Sequence, residues 1–338
     1  MRMNEKREKN WISQMFQNEM FENKECVMKE IQTLFGILSP LSSLLSPLKM
    51  QKKEASFGIL SPLSSLLSPL KITISLSTLL SPLFLLTSCS LFDFHPYDAD
   101  ISGEGDLNNK NIALIESACR DKDTLRVAYT GDTQGWLDDT EDMVEDINGR
   151  GNIDFLVHGG DLTDFGLTKE FEWQRDVLKK LECPYVVIIG NHDCLGTGKS
   201  CFNNLFGEEN FSFIAGRIKF VCLNTNALEY DYSHPIPNFE YIEQEQTADS
   251  TLFDRTIVSM HAGPYSDEFN NNVAKPFHYE MTKFKGLLFC TMAHDHHFAE
   301  KNLFEDGIMY YTTDCAKERR YLLFTITPDG YSYELISF

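Results

Sequence analysis

The chain has 338 residues, 42% hydrophobic and 24% charged, with 25 Phe, 13 Tyr and 3 Trp; this excludes a disordered or fibrous protein and supplies ample material for a core. Fifty acidic side chains against 30 basic ones give a formal charge of −20, which argues against a surface that coats nucleic acid. The charge is uneven: residues 1–88 hold 10 basic and 7 acidic side chains and the remainder 20 and 43, so two regions with different tasks share the chain.

The first region reads as a targeting segment. Residues 35–49, FGILSPLSSLLSPLK, recur unchanged at 57–71. Two short copies are too few for a solenoid, and their Ser and Pro residues interrupt any helix. From Ala55 to Phe92 the only charge is Lys71, after which an apolar run ends in Leu86-Thr87-Ser88-Cys89. A basic start, an apolar stretch and small residues at its end describe a secretory signal. Met50-Gln51-Lys52-Lys53 offers a second, conventional start for one. The last four residues resemble the bacterial lipobox, which implies that Cys89 is lipidated and becomes the mature N-terminus, with a polar tether over 89–123. The uncharged stretch Ile72–Phe92 also has the length of an uncleaved anchor helix, although Pro82 and five Ser residues weigh against that.

Beyond the tether, residues 124–338 read as one α/β domain. LRVAYTG (125–131), IDFLVHG (153–159) and PYVVIIG (184–190) are strand-length apolar runs, each closed by Gly. Between them, 137–150 begins with acids suited to a helix N-terminus, and 167–181 places Phe171, Val177, Leu178 and Leu181 on one face. A β-α-β-α-β order implies parallel strands with right-handed crossovers. Later runs at 218–226, 256–261, 286–293, 307–313, 320–327 and 330–338 have few helices between them, so the second half is expected to be rich in sheet. Asp329-Gly330 predicts a hairpin. Two packed sheets with helices outside satisfy this pattern.

Nine cysteines contain no C-x-x-C pair, which removes support for a zinc ribbon or a thioredoxin-type motif. Cys222 and Cys290 fall in apolar runs and read as core thiols. Cys194 and Cys201 flank a Gly-rich loop and are candidates for pairing in an oxidising compartment.

Five strand ends carry polar blocks: Gly131-Asp132-Thr133-Gln134, Gly160-Asp161, Gly190-Asn191-His192-Asp193, Met260-His261-Ala262-Gly263 and Ala293-His294-Asp295-His296. In α/β sheets, ligands bind beyond the carboxyl ends of strands. One such block is an ordinary turn; five in succession indicate a site. In order and spacing the blocks resemble the calcineurin-like metallophosphoesterase superfamily, with Gly-Asn-His-Asp and His-x-His the most specific parts. The resemblance spans about Leu125 to Phe338 and implies a four-layer α/β/β/α sandwich of two mixed sheets flanked by helices.

Carried over by position, it also implies a two-metal site. Asp132, Gln134, Asp161 and His296 would hold one ion, and Asp161, Asn191, His261 and His294 the other. His192, outside the ligand set, would act as acid or transition-state stabiliser, oriented by Asp164 or Asp193. Mixed oxygen and nitrogen donors suit Mn²⁺, Fe or Zn²⁺, and two such ions can activate a bridging hydroxide and clamp a phosphate. Gln134 stands where many members have His; its neutral amide favours Mn²⁺ or Mg²⁺. Ala293 stands where Gly is usual. The Ala293–His296 segment is expected to be extended, with one of its two histidines serving each ion.

Gly196-Thr197-Gly198-Lys199-Ser200 mimics the end of a phosphate-binding loop, but Asp193 stands where that motif requires Gly. His158, in a strand, reads as structural, and His297 as facing away from the site. Trp136, Tyr265 and Phe298 adjoin the polar blocks and are candidate cleft residues. The expected activity is hydrolysis of a small extracytoplasmic phosphate ester, diester or diphosphate by a protein lipid-anchored in the bacterial cell envelope, with no nucleic-acid partner. The alternative is a surface lipoprotein that keeps the fold as a binding scaffold.

Overall fold

A computed structural model of the chain describes residues 98–227 and 235–338, all within one compact unit, Cys89–Phe338. The targeting segment and Cys89 lie outside the described residues.

Leu125–Thr130 (β1), Phe155–His158 (β2) and Tyr185–Val187 (β3) run parallel, as their Gly-closed apolar runs predict. The helices between them are Leu137–Arg150 and Thr168–Leu178. Arg320–Thr327 (β10) pairs antiparallel with β1, and Gly330–Ser337 (β11) folds back on β10 across Asp329-Gly330, giving the sheet order β11-β10-β1-β2-β3. The second sheet contains Phe211–Ala215 (β4), Ile218–Leu223 (β5), Arg255–Met260 (β6), Leu287–Met292 (β7), Ala299–Lys301 (β8) and Tyr310–Thr312 (β9), in the order β4-β5-β6-β7-β9-β8. Both sheets mix parallel and antiparallel pairs.

Three apolar clusters define four layers. Tyr129, Phe155, Val157, Phe213, Phe220, Phe289 and Phe324 fill the space between the sheets. Met143, Ile147, Phe171 and Leu178 cover the outer face of the first sheet, together with Phe202 and Leu205 from the helix Gly198–Leu205. Ile242 from the helix Phe239–Thr247, and Phe277 and Met281 from the helix Ala274–Met281, cover the second. These last two helices lie in the half expected to have few.

Two expectations are refined here. Much of the segment read as tether is ordered: Leu107–Cys119 forms a helix that buries Leu107, Ile115 and Cys119. Its first turns are polar, Asn108–Asn111, and the apolar residues follow in IALIESAC. Cys201, Cys222 and Cys290 are free thiols, so Cys201 does not pair with Cys194. Cys194 Sγ donates to Gly190 O at 3.3 Å, whereas Cys201 lies buried against Thr168. Lys199 of the decoy loop pairs with Glu209, 3.1 Å away.

Candidate metal centre

The ends of β1, β2, β3, β6 and β7 open on one edge of the two sheets, and each delivers its polar block there. The turns are tight. Gly160 has φ 101°, and a Cβ on it would lie 2.7 Å from Gly190 N; a Cβ on Gly190 would lie 2.1 Å from Asp161 Oδ1. Only two adjacent glycines allow the second and third strand ends to approach this closely. The Ala293 methyl group fits because Gly131 and Gly159 carry none: a Cβ there would approach Ala293 Cβ to 2.7 Å and 3.0 Å.

The seven predicted donor residues come together around Asp161. One group of potential ligand atoms comes from Asp161, His261 and His294, and another from Asp132, Asp161 and His296, so Asp161 belongs to both. His261 Nε2 lies 2.9 Å from Asn191 Oδ1 and 3.4 Å from Asp161 Oδ1, and His294 Nδ1 is 3.1 Å from the same Asn191 oxygen. His296 Nε2 is 3.6 Å from Asp132 Oδ1, and Gln134 Nε2 donates to Asp161 Oδ2 at 3.4 Å. Asp132, Gln134, Asp161, Asn191 and His261 are buried, whereas His296 is exposed.

His294 and His296 differ from the expected extended geometry. Both adopt left-handed backbone conformations, φ 69° and 60°, within a bend. Asp132 and Asp161 are also left-handed, φ 51° and 56°. Four non-glycine residues held in this sparsely used region indicate a site over-determined by its surroundings. The bend still sends the two histidines to different donor groups.

The electrostatics favour a cation. Burial raises the Asp132 carboxyl, with the neighbouring Asp161 charge adding to it. Burial would also raise Asp161, but His261 and His192 outweigh it and hold that carboxyl below its usual range. Burial opposes protonation of His261, yet Asp161 and Asp132 lift it to about 9. Protonated groups are therefore stabilised where a metal ion would otherwise supply positive charge. Asp132 Oδ1 and Gln134 Oε1 are buried without a hydrogen-bond partner; unsatisfied buried acceptors are costly, and a bound ion would satisfy both. The residues present thus fit a divalent metal pair with mixed oxygen and nitrogen donors. His261 Nδ1 lies 2.8 Å from Gly159 O, a contact that directs Nε2 into the site.

The model of the calcineurin-like phosphoesterase family matches residues 125–298. The chain belongs to that family. It is therefore a metallophosphoesterase, a hydrolase acting on phosphoesters, and its two donor groups agree with the two divalent ions typical of the family. A search of curated proteins found no match. Among solved structures, purple acid phosphatase PPD1 from yellow lupin (Lupinus luteus) superposes with a TM-score of 0.50 at 13% identity, over 64% of this chain and 52% of that one. This likeness is one of fold. GAP50, the anchor in the inner membrane complex of Plasmodium, gives 0.49 at 12% identity, over 64% and 85%. PhoD gives 0.46 at 9% identity, over 64% and 69%.

Around the donor cluster the phosphoesterase places the other polar residues in supporting positions. His192 N donates to Asp161 Oδ1 at 2.9 Å, and His192 Nδ1 lies 2.8 Å from Asp164 O. Asp164 therefore meets the imidazole through its backbone carbonyl. Asp193 does not orient the ring. Its buried carboxylate accepts from Leu162 N, Thr163 N, Thr163 Oγ1 and Gly190 N, each at 3.0 Å, and so ties two strand-end loops together. Glu170 braces the same region by accepting from Phe165 N and Leu167 N at 3.1 Å.

His158 is structural: its Nδ1 accepts from Gly160 N at 3.2 Å and its Nε2 faces Thr133 Oγ1 at 3.0 Å. His297 is exposed, with Nδ1 on Asp295 O. Trp136 sits edge-on to His296, ring centroids 6.0 Å apart, and Tyr265 is 53% exposed at the loop after β6. Sequence reasoning missed Asp267, whose Oδ1 lies 2.8 Å from His294 Nε2. An acid in a polar loop, six residues past His261, carries no signal of its own.

Proposed function

We propose that this phosphoesterase uses two divalent ions to hydrolyse a small phosphate ester, diester or diphosphate outside the cytoplasm. The observation that carries the reading is Asp161, whose carboxylate belongs to both donor groups. Asp132, Gln134 and His296 would complete one ion's ligands, and Asn191, His261 and His294 the other's. When bound, such a pair supplies an activated water and charge stabilisation for an in-line displacement at phosphorus. The Gln134 amide, a neutral oxygen donor, favours Mn²⁺ or Mg²⁺ over Zn²⁺.

His192 supplies the proton. The Asp164 carbonyl engages Nδ1, so Nε2 is the ring atom that serves the leaving oxygen. Burial opposes charging of the ring, but Asp161 and the Asp164 carbonyl outweigh it and raise its pKa, which favours the acid form. The formal charge of −20 disfavours long nucleic acids as substrates. Attachment to a bacterial envelope membrane through lipidated Cys89 is part of the same reading and rests on the lipobox-like Leu86–Cys89 run. Among the described residues no helix is long and apolar enough to cross a membrane.

The test is turnover of paired aryl phosphate monoester and diester substrates by the full chain with added Mn²⁺. Hydrolysis of either that is abolished by chelation supports the reading, and the ratio assigns the substrate class. If both substrates and an aryl-capped diphosphate are left intact by the Mn²⁺-loaded protein, the reading is wrong.

A further inference from the structure

His294 is engaged at both ring nitrogens. Nδ1 lies toward Asn191 Oδ1 at 3.1 Å, in the group that includes His261 and Asp161, while Nε2 is 2.8 Å from Asp267 Oδ1. The Asp267 side chain is 90% exposed, and an exposed pair on a loose loop contributes little. This loop is tied on both sides of Asp267. Ser266 N donates to Gly263 O at 3.1 Å, and Ala227 N donates to Glu268 O at 2.9 Å. Asn271 clasps the turn, accepting from Tyr265 N at 2.7 Å and donating to Ser266 O at 2.6 Å. Tyr265 itself has φ 75°, a strained conformation for a non-glycine residue that persists only where its surroundings enforce it.

We propose that Asp267 is a positioning residue for the metal centre, accepting the Nε2 proton of His294 and thereby presenting Nδ1 to the ion shared with Asp161, Asn191 and His261. The inference rests on the two-ion reading. A neutral imidazole has one free lone pair, and the partner of one nitrogen decides which nitrogen carries it. Gly159 O directs His261 toward the site through Nε2; Asp267 directs His294 through Nδ1. The two histidines thus approach one ion through different nitrogens, each fixed by an oxygen behind it.

The experiment titrates the metal-free full chain with Mn²⁺ by calorimetry, for wild type, Asp267→Ala and Asp267→Glu, and records the melting temperature of each without metal. One Mn²⁺ site is expected to weaken about 10–100-fold in Asp267→Ala, with the other unchanged, and Asp267→Glu is expected to recover part of the loss. The metal-free melting temperature should not move, because the side chain is exposed. Unchanged affinity at both sites, or weakening accompanied by a lower metal-free melting temperature, would overturn the assignment. A wild-type chain that binds no Mn²⁺ would instead remove the two-ion reading on which it rests.

Discussion

The ring of His192 is held by the backbone carbonyl of Asp164, with Nδ1 2.8 Å from the oxygen. A carbonyl accepts the Nδ1 proton in either charge state of the imidazole, so Nε2 gains and loses a proton without disturbing the ring's orientation.

His192→Ala should therefore cost about 10²–10⁴-fold in turnover of an alkyl phosphate, whose leaving group needs protonation. A nitrophenyl ester, with its better leaving group, should lose less, and Mn²⁺ affinity should stay near that of wild type. Steady-state kinetics on both esters decide this; equal losses on the two would remove the acid role. Because the His192 pKa is raised and the acid form is the active one, wild-type turnover should fall as pH rises through that pKa. This alkaline limb should be absent in the variant.

Gly190→Ala tests the close approach of two strand ends. The added methyl carbon would sit 2.1 Å from Asp161 Oδ1 and 2.2 Å from Asp161 N, so Asp161 must shift. Displacing a group common to both donor sets by about 1 Å is expected to lower turnover roughly 10²-fold. Metal analysis of the folded variant should find both ions weakened. Retention of two tightly bound ions would show that Asp161 is not where both meet.

The buried His158 predicts an acid sensitivity in the metal-free protein. Burial drives its pKa down to about 3 from an ordinary value of 6.5, with the charge of His261 adding to the shift. Between these values the unfolded chain binds a proton that the folded chain does not. Stability is then greatest above about pH 6.5 and falls as pH drops, by up to about 1.4 kcal/mol per pH unit, until about pH 3. His158→Asn retains an acceptor for Gly160 N and does not titrate. Chemical denaturation from pH 4 to 7 should give a shallower slope for the variant, and equal slopes would contradict the assignment.

The site residues were legible because strand ends advertise themselves: an apolar run stops, a Gly follows, and the next side chain is Asp, Asn or His. Asp132, Asp161 and Asn191 follow that rule, and His261 and His294 close their apolar runs without the Gly. The supporting groups do not. The Asp164 carbonyl that holds His192 is a backbone atom that any residue would provide. Asp267 is an acid among the polar residues of a loop, and its value comes from the turn that Asn271 clasps. The left-handed bend at His294 and His296 escaped a reading by strand periodicity, since neither residue is Gly. In the fold, the helix Leu107–Cys119 and the strand Phe211–Ala215 were missed: the first opens with the polar run Asn108–Asn111, and the second alternates over only five residues before Gly216 turns the chain. Tertiary burial, rather than local preference, sustains both.

The central claim is that Asp161 joins two metal sites in one hydrolytic centre. Its most direct test is metal stoichiometry by equilibrium dialysis against Mn²⁺, run on wild type and Asp161→Asn, with phosphoester turnover measured on the same samples. The account predicts two ions per wild-type chain, turnover that is lost with a chelator and restored by Mn²⁺, and a folded Asp161→Asn variant that neither retains both ions nor turns over. Two ions retained by the variant, or wild-type hydrolysis that persists after the metal is stripped, would contradict it.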